Sequence, residues 1–484
     1  MYRVLGTVRK RLDRIRRTAF PGRLGKMTAW KGRPTTDLHK IFLGAPLALA
    51  LVLLAAPAFA AAGDIFPYPY QKESLPNGLT AIMIRTPSPG LIAYYSIVRT
   101  GSRDEVEPGK SGFAHFFEHM MFRGTKKYPA RVYDRIVTRL GADANAFTTD
   151  DFTAYHLEFA KEDLETVIDI ESDRFQNLDY DRADFETEAG AVYGEYRKSV
   201  TDPFFMLEET VRNLAYDVHT YKHSTMGFEA DIKAMPHAYE FSRAFLKRFY
   251  RPENIVLLVV GDVDPQATVA LVKKHYGAWN RGYVPAKIVA EPAQKAERTG
   301  KIAYPGQTLP ILNIAYKGDR FDPSNADYVA ALVLGDLAFG KTSELYKKLV
   351  VREQRVEFIA ADVPLNRDMP LFQITAMVKK GDDIGGVRDE VYRTLEEFKT
   401  RPADAARLEE VKRHNKYAFL MELDSAGGVA GALARLVALT GGIEAVEQLF
   451  AALDRVTPAA VQSAARKYFD ARRRTVVVLR GAGG

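Results

Sequence analysis

Ser111-Gly112-Phe113-Ala114-His115-Phe116-Phe117-Glu118-His119-Met120-Met121-Phe122 places two imidazoles and a carboxylate inside an otherwise apolar run. The spacing predicts a helix over 111–123, with Ser111 as its N-cap and Gly124 as its stop. On that helix His115, Glu118 and His119 share one face, because residues three and four apart are neighbours. Two neutral histidines so placed suit a divalent metal, most commonly Zn²⁺. The carboxylate between them can serve as a base toward water. A helix that is apolar nearly all round is a buried one. Burying three polar groups without partners would cost about 2–7 kcal/mol each, a difficulty that a bound metal removes. The plainer alternative is a pair of hydrogen-bonded core histidines beside a salt-bridged Glu.

A catalytic zinc site usually takes three protein ligands and keeps one position open. Residues 183–200, ADFETEAGAVYGEYRKSV, read as a helix whose Phe185, Val192 and Tyr196 pack inward. Glu188 and Glu195 are seven apart, so they lie on one face two turns from each other. By spacing alone this pair also fits a solvated acidic face.

The ends of the chain carry a different message. Residues 1–40 hold twelve Lys/Arg and two Asp, which more than accounts for the net charge of +7, and the body is slightly acidic. No nucleic-acid partner is therefore expected. Residues 41–60, IFLGAPLALALVLLAAPAFA, form an apolar run ending in Ala58-Phe59-Ala60, a small-x-small cleavage pattern. This predicts a signal peptide or leader over 1–60, starting at Met1 or Met27, and a periplasmic protein. An uncleaved membrane anchor is the alternative. The chain has no Cys, hence no disulfides and no thiolate chemistry.

The body repeats. Shifted by 217 residues, Ile97, Gly101, Arg103, Phe122 and Thr125 fall on Ile314, Gly318, Arg320, Phe339 and Thr342. Phe249 and the run 255–261 recur 220 residues later as Phe469 and 475–481. Two similar domains follow, 65–285 and 300–484, joined by a polar linker near 285–300. In the second copy His115, Glu118 and His119 become Leu332, Gly335 and Asp336, so only the first domain can hold the metal. Strands are expected at 78–85, 91–100, 152–159 and 254–261. Helices are expected at 111–123, 130–140, 161–175, 183–200, 205–216, 237–249 and 265–277. The fold class is α+β, two homologous domains, each a mainly antiparallel sheet with helices on one face.

His115-x-x-Glu118-His119 followed after 76 residues by Glu195, with Glu188 seven before it, resembles the pitrilysin/insulysin-type inverzincin zinc metallopeptidases. These include mitochondrial processing peptidase and bacterial two-subunit relatives. Gly141-Ala142-Asp143-Ala144-Asn145-Ala146-Phe147-Thr148, His219-Thr220-Tyr221 with Met226-Gly227, and Phe249-Tyr250-Arg251-Pro252-Glu253-Asn254 with Val260-Gly261-Asp262 agree with its other segments. The resemblance implies one Zn²⁺ per chain, held by His115, His119 and Glu195. It implies Glu118 as general base and Glu188 as the carboxylate orienting a ligand histidine. It also implies that Asn145 and Ala146, on an edge strand, dock the substrate backbone. The implied architecture is half of a clamshell chamber, and the implied activity is hydrolysis of peptides or unfolded segments.

One departure matters. Members of the family often hold the substrate carbonyl with an Arg and a Tyr seven apart in the second domain. Arg352 is present here, but no Tyr follows it in the stretch that holds Glu357 and Phe358. A homologous non-zinc subunit supplying the Arg/Tyr pair is therefore expected in a heterodimer, with a homodimer as the alternative. A non-catalytic scaffold subunit that retains a zinc site is the competing function. A metal-storage protein is another, but it would have no use for Glu118. His156 is expected to be structural, and His219 and His223 to pack in a loop rather than bind a second metal.

Overall fold

The structure is a computed structural model that describes residues 65–482. The expected leader at 1–60 lies outside them. In the first domain β1 (Tyr70–Ser74), β2 (Thr80–Arg85), β3 (Leu91–Val98), β4 (Asp143–Thr148), β5 (Thr153–Ala160) and β6 (Ile255–Gly261) pair in the order β1-β2-β6-β3-β5-β4. In the second, β7 (Arg298–Ala303), β8 (Ile311–Lys317), β9 (Val356–Asp362), β10 (Leu371–Val378) and β11 (Arg474–Arg480) pair in the order β7-β11-β8-β10-β9. Laid over each other, the two orders match strand for strand, with β1 extra. The register repeats as well. Ile97 sits between Ala154 and Val256, and its counterpart Ile314 sits between Ile374 and Val476. Both sheets are antiparallel except for one parallel pair each, β2 with β6 and β7 with β11.

Five helices matter for the site and its frame: α1 (Phe113–Met120), α2 (Arg182–Ser199), α3 (Pro203–Ala215), α4 (Ala326–Phe339) and α5 (Ala426–Thr440). On the first sheet, alternate residues point to opposite faces. Leu257 and Val259 of β6 join the aromatic core beneath α1. Val256, Leu258 and Val260 join the core of the second domain. The connection is α5, which leaves its own domain to pack on β3 and β6, while α3 of the first domain packs on β7, β8 and β11. The helix exchange explains why β6 reads as an unbroken apolar run: both of its faces are covered. It also makes each domain's core depend on the other.

Charged groups fasten the junction. Arg212 of α3 donates to both carboxylate oxygens of Asp150 at 2.9 and 3.0 Å and to Glu208 at 2.5 Å, and these two carboxylates accept in turn from Asn366 and Gln373 of the second domain. In the linker, Glu291 accepts the backbone N–H groups of Asp217, Val218 and His219 and pairs with buried Lys317. Among the described residues no single helix is long and apolar enough to cross a membrane.

The expected strands and helices are present within a few residues of their positions. Three differences have physical causes. Strand β1 escapes notice because Gln71, Lys72 and Glu73 are polar and the strand pairs only with β2. The helix expected over 111–123 is α-helical only from Phe113 to Met120 and tightens to a 3₁₀ turn over Met121–Arg123. Ser111 does not cap it. Gly112 does, with φ of 93°, and a Cβ there would lie 2.6 Å from the Met226 carbonyl. Buried Glu105 takes over the capping role: its carboxylate accepts the N–H groups of Gly112 at 2.7 Å and Ala114 at 2.6 Å. Ser111 instead donates to Asp231 and accepts from the Phe228 N–H.

Candidate metal centre

The aromatic face of α1 fixes the polar one. Phe117 stacks on Phe245, with ring centroids 5.3 Å apart, and Phe116 packs edge-on against Phe185 of α2. Tyr155 donates to the Phe117 carbonyl at 2.9 Å. With these contacts made, His115, Glu118 and His119 are turned away from the apolar core, toward α2 and β4.

Three ligand atoms converge there. One atom each from His115, His119 and Glu195 lies within 4.8 Å of the other two. Glu195 Oε2 is 3.6 Å from His115 Nε2 and 3.3 Å from His119 Nε2. A tetrahedral ion bonded at about 2.0–2.1 Å separates its ligand atoms by about 3.3–3.4 Å, so the donor set fits Zn²⁺ in spacing and in chemistry. The Glu195 side chain is 44% exposed, so the group opens to solvent on the α2 side.

Protonation differs between the two histidines. Burial, and then the neighbouring His119 charge, lower the pKa of His115 to about 4. Its Nδ1 is buried without a hydrogen-bond partner. Burial works against charge on His119 too, but hydrogen bonds with Glu188 and Glu195 outweigh it and raise its pKa to about 10. Glu188 lies at the Nδ1 edge of the His119 ring: its Oε1 accepts from His119 Nδ1 at 3.0 Å, and its Oε2 accepts from Arg123 Nε at 2.7 Å. Against the effect of burial, His119 and Arg123 hold Glu188 below the usual carboxylate range. The contact keeps the His119 Nδ1–H in place and directs Nε2 at the cluster.

Glu118 lies beside the three donors rather than among them. Its Oε2 accepts the Thr148 hydroxyl at 2.6 Å. Burial raises its pKa, with the Thr148 hydrogen bond acting the other way. A carboxylate poised above its usual range is suited to taking up a proton near neutrality.

The remaining residues singled out in the sequence are placed as follows. Asn145 and Ala146 lie on β4, at the open edge of the first sheet, and Asn145 Oδ1 accepts the Ala146 N–H at 2.8 Å. Arg352 is not drawn into the cluster. It ends a π-helical turn, Lys347–Arg352, 3.7 Å from Glu344, and precedes Gln354, whose φ is 51°. Phe358 packs against Phe204 of α3 at 6.1 Å. His156 stacks on Tyr95 at 4.8 Å. His219 reaches across the junction to Asp368 at 3.2 Å, and His223 meets the Ser224 carbonyl. The sequence assigns no role to Arg123, and Thr148 stands in it only as the end of the 141–148 segment. Arg123 was findable, since it lies one turn after His119. The second-domain counterpart of the site is filled with core: Leu332 on α4 is buried.

Comparison with known proteins agrees with this geometry. Residues 93–229 match the family model described as insulinase (peptidase family M16), and residues 238–415 match the one described as peptidase M16 inactive domain. The chain is 28% identical over 394 residues to the zinc protease PqqE of Helicobacter pylori, covering 80% of this chain and 88% of that protein. It is 23% identical over 428 residues to the mitochondrial-processing peptidase subunit beta of Lentinula edodes, covering 85% and 90%. The crystal structure of a protease from Helicobacter pylori superposes with a TM-score of 0.79 at 27% identity, covering 85% of this chain and 99% of that one. The chain belongs to peptidase family M16.

Proposed function

We propose that this chain is a zinc-dependent endopeptidase that hydrolyses peptides or unfolded protein segments, with Glu118 as general base. The reading is carried by the convergence of His115, His119 and Glu195 with Glu118 alongside. Zn²⁺, when bound by those three, supplies Lewis acidity that makes water a usable nucleophile near neutral pH and polarises a carbonyl. Glu118 takes the proton from the attacking water on its carboxylate and delivers it to the leaving amine. Glu188 orients His119, and Arg123 orients Glu188. The β4 edge around Asn145 and Ala146 receives the substrate backbone as an added strand, which gives affinity with loose sequence preference.

The oxyanion side is incomplete. Arg352 has no Tyr partner seven residues on, and a missing oxyanion donor typically costs about 10²–10³ in rate. A homologous non-zinc subunit therefore completes the site in a heterodimer, and a homodimer is the other arrangement. The relative named as a processing-peptidase subunit supports the first. The leader at 1–60 directs the mature chain to the periplasm. A non-catalytic scaffold subunit is the second reading. It is favoured by the lack of a Tyr seven residues after Arg352, where Ile359 stands, and opposed by the intact Glu118.

The test expresses residues 61–484 alone and together with any homologous adjacent-gene product, then measures zinc content and hydrolysis of a quenched peptide. The proposal expects one zinc per chain and chelator-sensitive cleavage that the second subunit raises. Zinc without cleavage in either preparation would favour the scaffold. Full activity of the isolated monomer would refute the two-subunit arrangement.

A further inference from the structure

Thr148 is the last residue of β4, and its side chain is on the same face of that strand as those of Ala144 and Ala146. Its Oγ1 is 2.6 Å from Glu118 Oε2 and 3.4 Å from Thr153 Oγ1. A hydroxyl has one proton to donate. Thr153 commits its own to the Thr100 carbonyl at 3.1 Å. The Thr148 proton therefore goes to the shorter, charge-assisted contact with Glu118. The Thr148 backbone N–H faces the same carboxylate, so the residue holds Glu118 through its hydroxyl and its main chain together.

We propose that Thr148 is a positioning residue, one whose hydroxyl fixes Glu118 Oε2 and so sets the carboxylate beside His115, His119 and Glu195. The inference rests on the reading of Glu118 as base. It ties that base to the strand whose open edge receives the substrate, so one rigid element sets both the docked backbone and the group that moves the proton. Without the hydroxyl the carboxylate keeps only the Thr148 backbone N–H and can turn about its last side-chain bond, and a misplacement of about 1 Å costs about 10²-fold in rate.

The test compares Thr148→Val, Thr148→Ser and Glu118→Gln in the full chain in its native assembly, with the double variant Thr148→Val/Glu118→Gln. Thr148→Val is expected to lower kcat about 10- to 100-fold, with KM within about twofold and zinc content unchanged. Thr148→Ser is expected to restore most of kcat. Adding Thr148→Val to Glu118→Gln is expected to change the residual rate little, because the two act as one unit. A crystal structure of metal-free Thr148→Val is expected to show Glu118 in a new rotamer. Wild-type kcat in Thr148→Val, an equal loss in Thr148→Ser, or an unmoved Glu118 would overturn the proposal. If Thr148→Val does not fold, Thr148→Ala replaces it with the same outcomes. Undiminished cleavage by Glu118→Gln would instead overturn the assignment of the base.

Discussion

Replacing Glu188 by Gln separates two things that its carboxylate does for His119. The carboxylate strengthens the imidazole as a ligand, and loss of such a partner typically weakens zinc binding by about 10- to 100-fold. It also holds a proton on the ring when no metal is bound. With the His119 pKa raised to about 10, the metal-free protein carries that proton at pH 7, and zinc must displace it. His115, lowered to about 4, contributes no such competition. The sign follows. Between pH 7 and about 9 each unit of pH tightens zinc binding by the wild type about tenfold, with one proton released per ion. Glu188→Gln removes the first of the hydrogen bonds that raise His119, so its proton is lost at lower pH and its zinc affinity climbs less steeply. The deficit of the variant is therefore small at pH 7 and grows as pH rises. Competition with a chromophoric chelator at pH 6.5, 7.5 and 8.5 measures both slopes. Parallel slopes for the two proteins would refute the reasoning.

Two further outcomes are expected. Arg212→Met leaves Asp150 and Glu208 without their shared guanidinium at the domain junction. It should destabilise the protein by about 3–5 kcal/mol in urea unfolding, and a loss below about 1 kcal/mol would contradict the importance of that pair. Asn145→Ala at the β4 edge should raise KM for a peptide substrate about 3- to 10-fold while leaving kcat nearly unchanged, and steady-state kinetics will show whether kcat falls instead.

The sequence makes the helical part of the site legible because a helix turns spacing into geometry. His115, Glu118 and His119 had to share a face once the segment was helical. Glu195 was harder. Seven residues from Glu188, it reads equally as solvent-facing acid, and only the family resemblance singled it out. The contacts that tune the site were not legible. Thr148 meets Glu118 across 30 residues, and Arg123 meets Glu188 across 65. Nothing local marks the first pairing, and the second is marked only by Arg123 lying one turn after His119. The fold shows the same division. The internal repeat reads as two matched domains, each a mainly antiparallel sheet with helices on one face. The exchange of α3 and α5 that covers the other faces depends on tertiary packing, and a Gly-rich, apolar helix such as α5 looks alike whichever sheet it covers. Ser111 failed as a cap because distant Glu105 satisfies the same N–H groups.

Glu118→Gln is the most direct test of the central claim. The amide keeps the size of the side chain and an oxygen to accept the Thr148 hydroxyl, and it removes the ability to take a proton from water. Measured together on one preparation, zinc stoichiometry should stay at one per chain while peptide cleavage falls about 10²–10⁴-fold. Zinc retained with undiminished cleavage would contradict the account.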